Sequence, residues 1–376
     1  MVILYLELKT KNRPTSFRGE EFIRIGSYKK KLKDHPERER KLWVIDHSQT
    51  FECEHALTDK TEEEVLQLID YQSFFKLLKF PLPDNKDGVI EKLKQERVIS
   101  NSLHGFNISN LGAILLARDI EEFPSIARKA IRVVFYDGKS RIKTKKEQIG
   151  IKGYAIGFEG LMKYLDENLP SNEIIDLALR KIVLLYPIIA IRELVANALI
   201  HQDFSIKGSS PMIEIFDNRV EITNPGIPLI DPLRFVDHSP ESRNESLARF
   251  MRRLNICEER GSGIDKVVYE CEYNQLPAPE IIAGENYTRI ILYGLKKFKD
   301  MDKQNKIRAC YLHSCLKIVS GEYMTNQSLR NRFGIEEHNY STVSRIIGDT
   351  KSAKLIRDYD PDNKSRTYAK YVPYWF

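Results

Sequence analysis

The sequence predicts a multidomain α+β protein, on three observations. Its 376 residues exceed one ordinary domain and suggest roughly two to four. Apolar content of 42% with 30% charged residues is that of a chain able to bury cores. Runs of apolar residues at helical spacing are interspersed with short alternating runs of strand type.

In order along the chain, Val2 to Lys9 alternates like a strand, Arg13-Pro14 breaks it, and Glu21 to Gly26 reads as a second. A charged stretch follows from Lys29 to Lys41. Two strands and a basic tail cannot form a core alone, so residues 1–43 read as the end of a larger domain. Helical spacing recurs from about Glu62 to Leu78 and from Val89 to Glu96, and Asn107 to Asn110 would cap a helix over Leu111 to Ala117. Residues 44–129 are thus expected to be a mixed, mainly helical connector.

Residues 130–298 are expected to form the central domain. It would open with a strand from Ala130 to Tyr136, a helix near Tyr154 to Glu167 and a long helical segment from about Ser171 to His201. Met212–Phe216 and Arg219–Thr223 read as strands joined by the hairpin signal Asp217-Asn218. Helices from Ser246 to Leu254 and Ile264 to Tyr273, then a strand from Arg289 to Tyr293, would complete it.

Residues 299–376 have the layout of a winged helix-turn-helix. A helix is expected from about Lys306 to Val319, and Met324-Thr325-Asn326 would cap a second over Gln327 to Phe333. Gly334 would turn the chain into a third, from Tyr340 to Asp349. Leu355–Tyr359 and Arg366–Tyr371 would form the wing, with Asp360 to Lys364 at its tip. Recognition helices place polar side chains at base edges and cations at phosphates. Asn339, Ser341, Thr342, Ser344 and Arg345 would fill those roles, with Lys364 and Arg366 on the wing, making double-stranded DNA the expected partner. Dimerisation alone is the competing use of such a unit.

Charge is unevenly spread. Residues 1–43 carry twelve Lys/Arg against six Asp/Glu, and residues 303–376 carry thirteen against seven, while the whole chain is +6. The middle is therefore acidic, and contacts to polyanions are expected from the ends. The longest apolar stretch, Ile182 to Ile191, contains Pro187 and is about half of a bilayer span, so no membrane partner is expected. Met1 to Glu7 lacks a basic region and meets a charge too soon for a signal peptide, which favours the cytoplasm. Cys53, Cys257, Cys271, Cys310 and Cys315 form no C-x-x-C pair and predict reduced thiols rather than a zinc site.

The segment Ala190 to His201 carries the chemistry. It is apolar, yet Glu193, Asn197 and His201 fall at i, i+4 and i+8 on one helix face. Such groups are costly to bury unless something polar meets them, and a magnesium-phosphate group would. Asn197 offers a neutral oxygen to a hard cation, and Glu193 can orient or deprotonate a water. Downstream, Asn224-Pro225-Gly226 follows a strand and Gly261-Ser262-Gly263 opens a helix, where backbone N–H groups suit an anion.

This order and spacing resembles the GHKL (Bergerat-type) α/β sandwich of gyrase, histidine-kinase, chaperone and mismatch-repair ATPases. The resemblance implies Glu193 as general base, Asn197 as magnesium ligand, Asn224 to Gly226 on the adenine side, and Arg260, Gly261, Ser262 and Gly263 at the phosphates, with His201 beside them. ATP and Mg would be the cofactors. Residues 190–293 are more closely similar to the GHKL-like domain of bacterial predicted transcriptional regulators, where Asn-Pro-Gly, Ser-Arg-Asn (Ser242 to Asn244) and Glu-Glu-Arg-Gly-Ser-Gly-Ile (Glu258 to Ile264) recur in order. Asn224 stands where hydrolysing relatives carry an adenine-reading aspartate, which sets hydrolysis below binding. In the competing reading the fold is degenerate, and Glu193 and Asn197 satisfy only local backbone groups.

Phe17 to Ser27 resembles the closing strands of a Schlafen-type AlbA domain, whose first half is expected to be missing here; the acids of nuclease relatives are not found. The resemblances together imply a nucleotide-responsive, DNA-binding transcriptional regulator, expected to be a homo-oligomer. Two alternatives stay open: an ATPase remodelling DNA or a partner, as in phage defence, and a non-hydrolysing DNA-binding or assembly module.

Overall fold

A computed structural model describes residues 16–17, 20–25, 28–35, 51–176, 179–239, 241–257, 261–362 and 369–376. The chain divides into two compact units, Met1–Glu54 and His55–Phe376. In the first, β1 (Ser16–Phe17), β2 (Glu20–Ile25) and β3 (Tyr28–Lys31) form an antiparallel sheet in that order. Part of the expected basic tail is therefore strand, in the register Arg24↔Lys29 and Phe22↔Lys31. Lysines enter an exposed ribbon because their stems cover apolar neighbours while the ammonium stays wet. Lys29 instead sets its Nζ over the Phe22 ring, 3.8 Å from the centroid, as a cation–π contact. The expected strand from Val2 to Lys9 lies outside the described residues.

The second unit opens with β4 (His55–Lys60), α1 (Glu62–Leu68), α2 (Tyr71–Leu77), α3 (Lys86–Gln95), β5 (Ile99–Asn101), β6 (Phe106–Ser109) and α4 (Asn110–Leu116). Helical spacing was expected over Glu62 to Leu78, and two helices are found there. Asp70 breaks it by accepting from Ser73 N at 3.2 Å, as an N-cap that starts α2 anew. The connector also holds an antiparallel sheet, β4-β6-β5, whose short strands carry too few apolar positions to announce themselves.

The centre of the unit runs β7 (Arg132–Tyr136), β8 (Thr144–Ile149), α5 (Tyr154–Asn168), β9 (Ser171–Asp176), β10 (Leu179–Leu184), α6 (Ile188–Ile200), β11 (Met212–Phe216), β12 (Arg219–Pro225), α7 (Glu245–Arg253), α8 (Gly263–Tyr273), β13 (Glu280–Ala283) and β14 (Tyr287–Tyr293). Six strands make one sheet in the order β13-β14-β12-β11-β7-β8, with β11 and β7 parallel and the other pairs antiparallel. The expected helix from Ser171 to His201 is corrected. Its first half is the antiparallel hairpin β9/β10, and only Ile188–Ile200 is helical. Pro187, at the N-cap of α6, disfavours helix before it, and the β-branched Ile174, Ile175, Ile182 and Val183 favour strands.

Helix α6 packs against α5, α8 and β12, which centres it between helices and sheet. Ile191, Val195 and Ala196 are fully buried, and each large aliphatic so placed stabilises by roughly 1.5–3 kcal/mol. The chain then forms α9 (Lys303–Val319), α10 (Asn326–Phe333), α11 (Tyr340–Ser352) and the pair β15 (Ile356–Asp358) with β16 (Tyr371–Pro373). Thr325 caps α10 in a capping box with Ser328, and Gly334 ends it at φ +62. The second wing strand was expected over Arg366 to Tyr371, of which 366–368 lie outside the described residues; the described pairing runs over Tyr371–Pro373, with Lys370 O accepting from Tyr359 N and Tyr371 N donating to Met324 O, both at 2.9 Å. No helix among the described residues is long and apolar enough to cross a membrane.

Candidate functional site

Helix α6 presents Glu193, Asn197 and, at its C-cap, His201 to a cavity. Ile222 on β12 and Thr288 and Ile290 on β14 form its floor. Glu193 is 3% exposed, and Arg192 Nη1 reaches its Oε1 at 3.3 Å. The buried carboxylate thus lies beside a guanidinium in the wall of the cavity.

Three local devices shape the rim. A Cβ added to Gly263 would lie 3.3 Å from Glu193 Oε2 and 3.4 Å from Asn197 Nδ2, so the start of α8 packs close against the pair and a larger residue there would crowd them. Gly261, just before it, has φ +74. Gly226 has φ +105, and a Cβ there would meet Asp203 Cβ at 2.8 Å. Its N–H donates to Asn286 O at 2.8 Å, and its carbonyl accepts from Thr288 Oγ1 at 2.8 Å. Asn224, 8% exposed, spends its Nδ2 on Pro225 O at 3.2 Å and so presents Oδ1 as an acceptor.

The cavity is electrostatically mixed. Burial, helped by the Arg243 guanidinium, pushes the His201 imidazole down to about 4, so it is neutral at pH 7. Burial pushes the Cys257 thiol in the wall up to about 11, keeping it protonated. Asp265, in the first turn of α8 but outside the cavity lining, is pushed up to about 6 by burial, and its Oδ1 has no hydrogen-bond partner among the described residues.

The sequence-predicted residues Glu193, Asn197, His201, Asn224, Gly261 and Gly263 line this one cavity. Gly226 and Ser262 are not among its lining residues, Ser262 takes the N-cap position of α8, and Arg260 lies outside the described residues. Sequence reasoning missed Arg243, Asn244, Arg252 and Thr288. Asn244 Nδ2 donates to Ile200 O at 2.7 Å and Gln202 O at 2.8 Å, tying off the C-terminal end of α6. Arg243 Nη2 donates to Ile227 O at 2.7 Å and closes the base of the intervening loop. The phrase Ser242-Arg243-Asn244 was the only signal for Arg243 and Asn244.

Of the residues expected to contact DNA, Asn339 occupies the N-cap position of α11, and its Nδ2 lies 3.0 Å from His338 Nε2. Ser341, Ser344 and Arg345 are exposed on α11 and Thr342 is half-buried. Ser344 accepts from Asn326 Nδ2 at 3.0 Å and so ties α11 to α10. Lys364 and Arg366 lie outside the described residues.

Residues 208–292 match a family described as the putative ATP-dependent DNA helicase recG C-terminal, of the HATPase type. The match gives the chain an ATPase-like segment that holds both glycine turns and begins after α6. The DIP2311 protein from Corynebacterium diphtheriae shares the fold over 94% of this chain and 70% of its own, at a TM-score of 0.52 and 15% identity. No curated protein matches the chain.

Proposed function

We propose that the chain is a nucleotide-responsive DNA-binding regulator, in which a GHKL-like pocket takes ATP with magnesium and residues 299–376 act as a winged helix on duplex DNA. One observation carries the nucleotide half: Glu193 and Asn197 share a cavity with the glycine start of α8, 3.3–3.4 Å from where a Cβ of Gly263 would be. The residues suit the ligand. Asn197 would hold magnesium, which supplies charge neutralisation at the phosphates; the N–H groups around Gly261 to Gly263 would take the phosphates. Asn224 Oδ1 would accept from the adenine amino group, between Ile222 and Ile290. His201, being neutral, would serve as a hydrogen-bonding wall. The ATPase-like family match supports this reading.

Magnesium-ATP a hundredfold above its dissociation constant should stabilise the protein by roughly 2.7 kcal/mol. Asn197→Ala should erase the shift, and an unmoved melting curve for the parent protein would sink the reading. The burial of Glu193 beside Gly263 supports a second reading, an ATPase acting on DNA or a partner. There Glu193 orients or deprotonates the attacking water. Glu193→Gln should then keep binding and lose turnover; equal turnover in both proteins dismisses it.

The DNA half rests on the surplus of thirteen Lys/Arg over seven Asp/Glu in residues 303–376 and on the exposed face of α11. Arg345→Ala should cost roughly 1–3 kcal/mol and blur discrimination at one base pair. Titration of specific and scrambled duplexes at three salt concentrations measures both, and flat binding equal to that of a neutral protein discards the regulator.

A further inference from the structure

The segment between β12 and α7 has two faces. Toward the cavity it gives Pro228, Leu229, Ile230, Phe235 and His238. Leu229 and Leu233 are 46% and 39% exposed, and of this stretch only Val236 is counted in the core, so burial alone holds little of the wall in place. Its outer side instead docks on the C-terminal elements. Tyr311 OH, from α9, donates to the carbonyl of Leu233, and Trp375 Nε1 donates to Tyr311 OH at 3.2 Å. The Arg234 guanidinium lies 4.9 Å over the Trp375 ring while its Nε bonds Asp237 at 2.8 Å. Tyr311 is 1% exposed, and burial raises its phenol so far that it stays a donor.

The opposite wall is referred to the same helix. Glu272, in the last turn of α8, meets His313 Nδ1 of α9 at 2.9 Å, and His313 Nε2 lies 3.1 Å from Ser328 Oγ of α10. Arg308 Nε donates to Ala278 O at 3.2 Å, and Arg332 Nη2 to Leu276 O at 2.6 Å. Helix α8 begins at the glycines over Glu193 and Asn197. The glycine rim and the 228–238 wall are thus both braced by α9.

We infer that docking of residues 231–238 on Tyr311 and Trp375 preorganises the pocket, so that ligand in the pocket and the placement of the C-terminal helices are energetically coupled. This rests on the proposed nucleotide-binding reading and names its regulation. A docked wall need not be ordered when ligand arrives, and by reciprocity ligand tightens the docking. Undocking should weaken binding on the order of tenfold, within the usual range of coupling between sites.

The test titrates the full chain with magnesium and a non-hydrolysable ATP analogue by calorimetry, for the parent and for Tyr311→Phe, Trp375→Ala and Arg234→Gln. Arg234→Gln touches no core, so it serves if the aromatic variants fold poorly. About tenfold weaker binding, with faster hydrogen exchange confined to 228–238 before ligand is added, is the expected result. In a Trp43→Phe background, emission from Trp375 should also change on saturation. Binding at the parent's affinity in all three variants overturns the coupling and leaves the nucleotide reading standing. Absence of binding by the parent overturns both.

Discussion

Helices α6 and α11 were both singled out for polar residues, and the structure treats them differently. On α6, Glu193 is 3% exposed among neighbours such as Ile191 and Val195 with no exposure. On α11, Ser341, Ser344 and Arg345 stand at the surface. A buried carboxylate costs several kcal/mol unless something polar meets it, whereas a surface serine costs almost nothing. The polar pattern on α6 therefore constrains the site around it, and the same kind of pattern on α11 is compatible with any solvated helix. Ser344 illustrates this: it hydrogen-bonds Asn326 and the carbonyl of Tyr340, a joint between helices.

The comparison can be broken first at the glycines. Gly226 combines φ +105 with a Cβ position 2.8 Å from Asp203 Cβ and 3.1 Å from Asp203 N. Gly226→Ala adds strain and overpacking at once and should destabilise by about 3 kcal/mol. Chemical denaturation measures it; a loss below about 0.5 kcal/mol would mean the rim yields easily and α6 is no more constrained than α11.

That asymmetry also decides what was legible. The strands β7, β11 and β12, helix α5 and the cap at Thr325 were readable because their apolar period or cap residue acts locally. Six of the site residues named from sequence line one cavity, since a polar triad in an apolar helix has few explanations. The hairpin β9/β10 was not legible, because its apolar run merges with that of α6 and only Pro187 separates them. Arg243, Asn244 and the wall at 228–238 were missed for another reason. Their roles lie in backbone carbonyls at Ile200, Gln202 and Ile227 and in aromatic residues of α9 and the C-terminus, distant in sequence.

A second way to sharpen the contrast is pH. His201 is depressed to about 4, so its contribution to stability is full above the ordinary imidazole value and is lost as pH falls toward 4. Asp265 is raised to about 6 and acts in the opposite sense: its contribution is full below the ordinary carboxylate value and is lost as pH rises through 6. Asp265→Asn should stabilise at pH 7.5 by about 1 kcal/mol, after discounting for its partial exposure, and should leave a steeper loss on acidification. His201→Gln should flatten that loss. Parallel pH–stability curves for parent and both variants would show that burial does not shift these groups as described.

The smallest effect belongs to α11 and has the opposite sign. Gly348 lies inside this helix, is exposed, and has no heavy atom within 4 Å of where a Cβ would stand. Its backbone is helical, so alanine fits without strain and reduces the freedom of the unfolded chain. Gly348→Ala should raise stability by about 0.5–1 kcal/mol, against the loss expected at Gly226. The variant also separates stability from recognition. If the exposed face of α11 lies against a phosphate backbone, a methyl group at 348 should weaken duplex binding while the melting temperature rises. If both rise or binding is unchanged, position 348 is clear of the nucleic acid, and the contact surface must centre on the turn around Arg345.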